Sequence, residues 1–407
     1  MNYDTQSLTK IFTLSLTSKN FSIGFFRKNN DSKKPVNFEV ISVDAAGFKN
    51  DILVNYQDAC AKLQSLVELL ENEKINFPNS ITLGIPSSSI NVRRTEHIKN
   101  FKVSKTITDE ILEEIDKNAK INLQSINYEI INLIPIRYKI NNRPWIKNPT
   151  NFSGSQLAIE YLVLEVEKSY LSDLVKLCNS NGLRVDSICS NLINFTGLYD
   201  IPFGKNDLIL DFGYDTTTCC FIKDGKILEI MSLNVGEENL INDLSIAYNL
   251  SKETAESIFS IFLQNPSNLP SILEKMNLSG INLETITTIL HPRINEITGI
   301  IYNHIYKKLS FFGGNIYICG EPTFLERIKP HLKVLLQAQI TDLTNLSFKN
   351  DVDSLFYEKM LPSTLYCASI ALQKLHRSLH KDIYFKTSSL FFNKIISSLK
   401  FWLSELS

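Results

Sequence analysis

Two stretches of this 407-residue chain open in the same way, with a strand, a turn of small residues and another strand, and that repetition constrains the fold most. Lys10 to Phe26 (KIFTLSLTSKNFSIGFF) alternates and is rich in β-formers, predicting two strands joined by a turn at Thr17–Asn20. The later stretch predicts strand Asp207–Asp211, a tight turn, strand Thr217–Lys223, the Asp224-Gly225 hairpin turn and strand Lys226–Leu233. Helical stripes follow each set, at Asn55–Glu73 in the first half and near Glu238–Tyr248 and Lys252–Phe262 in the second. Strand triplets alternating with helices in two halves predict duplicated α/β domains rather than one doubly wound sheet.

Further elements fill in this frame. Val36–Val43, Ser80–Ile85, Arg184–Cys189 and Asn315–Cys319 read as strands, and Asn191–Tyr199, Leu290–Leu309, Thr323–Leu336 and Thr364–Leu375 as helices. A compact unit interrupts the first half: strand Ile90–Ile98, helix Thr108–Ala119, strands Asn127–Ile140 and Leu157–Lys168, and helix Tyr170–Asn181. Its two long strands are separated by the polar loop NNRPWIKNPTNFSGSQ.

Composition excludes several classes. The chain is 43% hydrophobic and 21% charged, as ordinary globular proteins are. Its 42 basic and 43 acidic residues leave a net charge of −1, so there is no global field for nucleic acid. The N-terminus MNYDTQSLTK lacks a signal pattern, and no stretch reaches the roughly 18 apolar residues of a spanning helix. The seven cysteines form no CxxC and the six histidines no HExxH, which predicts reduced core cysteines, no zinc site and a cytoplasmic chain. No Ser-His-Asp, Cys-His or paired-carboxylate arrangement offers catalysis.

The tail is different. On a helical wheel Phe391, Phe392, Ile395, Ile396, Leu399, Trp402, Leu403 and Leu406 share an arc of about 140°, while Lys394, Lys400, Asn393, Glu405 and the serines take the rest and only Phe401 sits on the wrong side. Two burial partners fit such a stripe, the chain's own core or a membrane interface. The preceding Arg377–Ser389 (RSLHKDIYFKTSS) has no clean period and reads as a basic tether, which favours the membrane.

The second turn, Asp211-Phe212-Gly213-Tyr214-Asp215-Thr216-Thr217, resembles the D-x-G-x-x-T phosphate turn of the superfamily of actin, heat-shock chaperone ATPases and hexokinase. Within it, the chain is similar to FtsA along nearly its whole length. Ile146-Lys147-Asn148-Pro149 with Ser153-Gly154 looks like that family's IKNP…SG loop, and Gly182-Leu183-Arg184-Val185-Asp186 is similar to its GLKVD. Thr254-Ala255-Glu256 resembles its AE-containing helix, and Pro292-Arg293-Ile294-Asn295-Glu296 its EPR…E helix, with His291 replacing the first Glu. The tethered terminal helix matches its membrane-targeting sequence.

The resemblance implies an actin-like α/β fold of two domains with a small inserted α+β subdomain. Residues 1–89 and 182–205 would form the first domain, 90–181 the insertion and 206–354 the second domain. Residues 355–376 would close the folded core, 377–389 link it, and 390–407 bind the membrane. It also implies an ATP pocket with Asp211, Gly213, Thr216, Gly236, Glu256 and Gly320. That pocket departs from the family pattern: Ser15 and Thr17 stand for an acidic residue and a glycine, Tyr214-Asp215 for Gly-Gly, and Phe259 for a lysine. Phosphate turns need small residues so that N–H groups can approach the oxygens, so ATP binding is expected to be weak or absent and the chain not to be an enzyme.

The implied function is an adaptor that tethers FtsZ at the cytoplasmic face of the inner membrane, at the division site. Its partners would be the FtsZ C-terminal tail, held by Arg293 and Glu296, inner-membrane lipids, further copies of itself in actin-like filaments, and other division proteins. For Arg293 the alternative is an ordinary i,i+3 pair with Glu296. The competing readings are a PilM-like actin-fold protein of type IV pilus assembly, and an ATP-dependent sugar kinase or chaperone ATPase.

Overall fold

A computed structural model describes residues 11–28, 36–73, 75, 80–191, 201–202, 206–223, 226–264, 266–276, 278, 280–308, 314–320, 322–343, 346 and 366–371. The tether and terminal helix (377–407), most of the helix read at Asn191–Tyr199, the Asp224-Gly225 turn and the flanks of the helix read at Thr364–Leu375 lie outside them.

The first half builds a five-stranded sheet from β1 (Phe12–Leu16), β2 (Asn20–Lys28), β3 (Val36–Asp44), β6 (Ile81–Ile85) and β10 (Val185–Ser190), ordered β10-β6-β1-β2-β3. The second half builds another from β11 (Asn206–Phe212), β12 (Thr217–Lys223), β13 (Lys226–Leu233), β14 (Ile316–Gly320) and β15 (Ile340–Asp342), ordered β13-β12-β11-β14-β15. In each sheet an antiparallel triplet is extended by two parallel strands on the side of its first member. The two sheets therefore share one topology, and the duplication is real. The fold is actin-like.

Each sheet is covered by helices whose apolar spacing suits the task. α1 (Tyr56–Asn72) starts at Asn55, whose side chain caps the N–H groups of Gln57 and Asp58. It buries Ala59, Leu63, Leu66 and Leu70, one per turn, in the core of the first sheet, over β2 and β3. Each such leucine withdrawn from water contributes about 2 kcal/mol before ordering costs. In the second half α4 (Glu237–Tyr248), α5 (Lys252–Gln264), α6 (Leu269–Lys275), α7 (Leu283–Lys308) and α8 (Pro322–Leu336) enclose a core that includes Leu210, Phe212, Phe259 and Phe324. α7 begins at Leu283, seven residues before the expected Leu290. Asn282 and Thr285 cap one another's backbone there, and the helix continues through Pro292.

The insertion is a three-stranded antiparallel sheet, β7-β9-β8, of β7 (Ile90–Thr106), β9 (Ser153–Glu167) and β8 (Tyr128–Ile140), with α2 (Asp109–Asn122) packed on it. β8 is an edge strand, so Pro135 costs no internal ladder bond, and the register slips beside it. β7 runs to Thr106 rather than stopping at Ile98, because its lysine-rich end still pairs with Gln156–Ser153. α3 (Lys168–Ser180) corrects the expected boundary. Its buried face, Leu171, Leu174, Val175, Leu177 and Cys178, joins the first domain's core, so the insertion ends near β9 and not at Asn181. All seven cysteines are free, and only Cys60 is not fully buried.

Candidate functional site

The two equivalent turns, β1–β2 and β11–β12, face each other across a cleft of about 130 Å³. The first is tied by Thr17, whose N–H and hydroxyl both reach the Asn20 carbonyl. The second is tied by the Gly213 N–H to the Thr216 carbonyl at 2.8 Å. A Cβ on Gly213 would stand 2.8 Å from that carbonyl oxygen, so the turn needs glycine. Gly236 is equally constrained: a Cβ there would lie 2.5 Å from the Tyr214 carbonyl and 2.6 Å from that of Gly213. This close approach brings the start of α4 onto the turn, where the Glu238 N–H donates to the Tyr214 carbonyl at 2.6 Å. Gly320, at φ 146, lets β14 end against the Phe212 carbonyl.

Sequence reasoning missed the residue that joins the turns. β4 (Phe48–Lys49) and β5 (Ile52–Leu53) form a minimal hairpin whose two turn residues, Asn50 (φ 50) and Asp51 (φ 56), are both left-handed. Asn and Asp tolerate that conformation, and it suits a two-residue hairpin. The tip enters the cleft. Asp51 accepts the Ser18 N–H at 2.8 Å and the Thr216 hydroxyl at 2.9 Å, and its own N–H donates to the Ser18 hydroxyl at 2.7 Å. The Asn50 N–H donates to Asp215. The sequence offers only Asn-Asp, two residues that tolerate a left-handed backbone, with no strand period on either side to mark a hairpin.

The cleft is rich in carboxylates. Burial pushes Asp211 up to about 6, although Tyr366 donates to both its oxygens at 2.9 and 2.8 Å and the Cys319 thiol lies at 3.3 Å. Burial, and next the nearby Asp51 charge, push Asp215 up to about 6 as well. One oxygen of Asp215 has no hydrogen-bond partner among the described residues. Asp51 is raised too, by burial of its carboxylate, against the opposing effect of its hydrogen bonds. On the other wall Lys19 pairs with Glu237 at 2.8 Å, and Lys19 and Lys252 stand over the Tyr214 ring.

Asp211, Gly213, Thr216, Gly236 and Gly320 are thus brought together, and Glu256 on α5 acts electrostatically on Tyr214. Ser15 is buried with Asn191, while Phe259 is core. Among the described residues no group of three His, Cys, Asp or Glu is placed to hold a metal ion. This arrangement works against a bound polyphosphate. The cleft's donors at Ser18 and Thr216 already serve Asp51, and the carboxylates of Asp51, Asp211 and Glu237 line it.

Arg293 and Glu296 lie on a different face, with His291 and His331 ring to ring nearby, 4.8 Å between centroids. Arg293 is engaged: Nε and Nη2 donate to Asp243 of α4 at 2.6 and 2.8 Å, and Nη1 to Glu296 at 2.6 Å. The i,i+3 pair exists, and a second carboxylate that the sequence did not reveal completes it. The eight apolar residues of the terminal stripe, with Lys394 and Lys400, lie outside the described residues.

Residues 87–164 match the family described as the SHS2 domain inserted in FtsA. Cell division protein FtsA of Borreliella burgdorferi is 22% identical over 376 residues, 88% of this chain and 89% of that protein. The chain is FtsA-like. The FtsA of Streptococcus pneumoniae is 23% identical over 224 residues, and that match spans about half of each protein, 54% of this chain and 49% of the relative. The solved PilM–PilN type IV pilus biogenesis complex shares the fold, with a TM-score of 0.59 over 90% of this FtsA-like chain and 98% of that one, at 12% identity. A likeness so low in identity shows architecture alone.

Proposed function

We propose that this FtsA-like chain is a cell-division adaptor that tethers FtsZ filaments to the cytoplasmic face of the inner membrane. The carrying observation is the match to FtsA along 88% of the chain, which includes the inserted SHS2 domain. The second domain would hold the FtsZ C-terminal tail near Arg293 and Glu296, and residues 390–407 would supply the membrane contact. No helix among the described residues is long and apolar enough to cross a membrane, which is compatible with a peripheral anchor.

One such amphipathic helix binds weakly, because much of its burial energy is offset by ordering. Self-association into actin-like filaments would link many anchors and convert weak contacts into avidity. ATP binding is proposed to be weak or absent and hydrolysis not to occur, a reading supported by the carboxylates in the cleft. Other division proteins would then be recruited by the assembled filament.

A fluorescent peptide of the FtsZ C-terminal tail from the same cell, titrated with this protein in anisotropy, tests the partner. Saturable binding supports the adaptor. Its absence returns the pilus-assembly reading, which shares the fold.

A further inference from the structure

We propose that the Asn50–Asp51 turn is a built-in occupant of the inter-domain cleft, an intramolecular carboxylate that holds the two domains together where an anionic ligand would otherwise bridge them. The inference deepens the reading of weak nucleotide binding given above and rests on it for its ligand, but its structural half stands alone.

The geometry is that of a bridging anion. Ser18, in the turn of the first domain, donates its backbone N–H to Asp51 Oδ1, and Thr216, in the turn of the second, donates its hydroxyl to Oδ2. One carboxylate thus closes both turns at once. Phosphate cradles are made of such donors, backbone N–H and hydroxyl groups converging on oxygens. The hairpin is fixed behind its tip: the Tyr170 hydroxyl donates to the Asp51 carbonyl at 2.9 Å, and the Ser18 hydroxyl accepts the Asp51 N–H. Asn50 crosses to the second domain as well, through its N–H to Asp215. A polyphosphate would meet the Asp51 charge and find the Ser18 and Thr216 donors taken. It must displace the tip to enter, so the clasp and the ligand compete.

The test compares the full-length wild type with Asp51→Ala and Asp51→Asn, and with Lys49→Ala on the exposed side of the same hairpin as control. Two readouts are taken. Calorimetric titration with Mg-ATP and with inorganic tripolyphosphate gives the ratio of affinities, and amide hydrogen exchange follows residues 17–19 and 213–216. The clasp predicts at least tenfold tighter binding by Asp51→Ala than by wild type, faster exchange in both turns together, and no change in Lys49→Ala. If neither protein binds either ligand, faster exchange in both turns still supports the clasp and shows the pocket to be lost on other grounds. Unchanged exchange in Asp51→Ala overturns the clasp, as does a wild type that binds as tightly as the variant. A wild type with low-micromolar affinity for Mg-ATP contradicts the reading of weak nucleotide binding, whatever the ratio.

Discussion

The guanidinium of Arg293 on α7 closes on the carboxylate of Asp243 on α4 from both ends, Nε to Oδ2 at 2.6 Å and Nη2 to Oδ1 at 2.8 Å. The pair is partly screened from water, with side-chain exposures of 31% and 21%, and it ties two helices fifty positions apart. Two-pronged charge-assisted bonds of this kind exceed exposed surface pairs. Asp243→Ala is expected to cost about 1–2 kcal/mol in urea denaturation. A cost under about 0.5 kcal/mol would make it an ordinary surface contact.

This clamp bears on the partner. A tail carboxylate reaching Arg293 competes with Asp243 and Glu296, so Asp243→Asn should tighten FtsZ-tail binding severalfold. Anisotropy with the two proteins decides it. Equal affinities, with Arg293→Gln also unchanged, would remove Arg293 from the tail site.

The cleft predicts a pH dependence of stability. Asp211 and Asp215 titrate near 6 in the folded protein and near their ordinary 3.8 when unfolded. Between those values the folded state holds protons that the unfolded state has released, so their contribution is lost as pH rises through about 6. The groups facing them are Asp51, Glu237 and Glu238, with Lys19 as the lining cation. Asp215→Asn is expected to raise the thermal midpoint at pH 7.5 by about 2–4 °C and to leave it nearly unchanged at pH 4. A lower midpoint at pH 7.5 would mean that the bond from Asn50 outweighs the desolvation.

Glycine at position 236 is required by space rather than by conformation. Gly236→Ala sets a Cβ against two backbone carbonyls, and neither can move without unseating the turn or α4. A loss of about 1–3 kcal/mol is expected from overpacking. Gly280→Ala, with no heavy atom within 4 Å of the added Cβ, is the control. Equal midpoints for the two variants would show that the turn yields.

The strands and helices with regular apolar spacing were legible in the sequence because local periodicity reports burial of a face. The duplicated triplets and α1 fall where that spacing puts them, and the strands of the insertion do so apart from the longer polar ends of β7 and β9. Three features were not. The Asn50–Asp51 hairpin has strands of two residues, too short for any period. Tyr366 reaches Asp211 across 155 positions, and Asp243 reaches Arg293 across 50, so only the folded chain shows either pair. Asp211, Gly213 and Thr216 of the D-x-G-x-x-T turn line the cleft, but Asp51, the carboxylate that fills the gap between the turns, was not among the residues named from the sequence.

Residues 390–407 should drive membrane attachment through their apolar arc of roughly 140°. Fused to a soluble fluorescent protein, they are expected to co-sediment with anionic vesicles, and the Trp402→Glu fusion to remain soluble. Equal pelleting of the two, or of neither, would contradict an interfacial helix.

The most direct measurement joins both ends of the adaptor. FtsZ polymers from the same cell are mixed with anionic vesicles, with the full-length protein or its Trp402→Glu variant, and FtsZ is quantified in floated vesicle fractions. FtsZ is expected on the vesicles only with the wild-type protein, and to be lost when its C-terminal tail is removed. FtsZ that stays off the vesicles while the wild-type protein itself floats would contradict the tether.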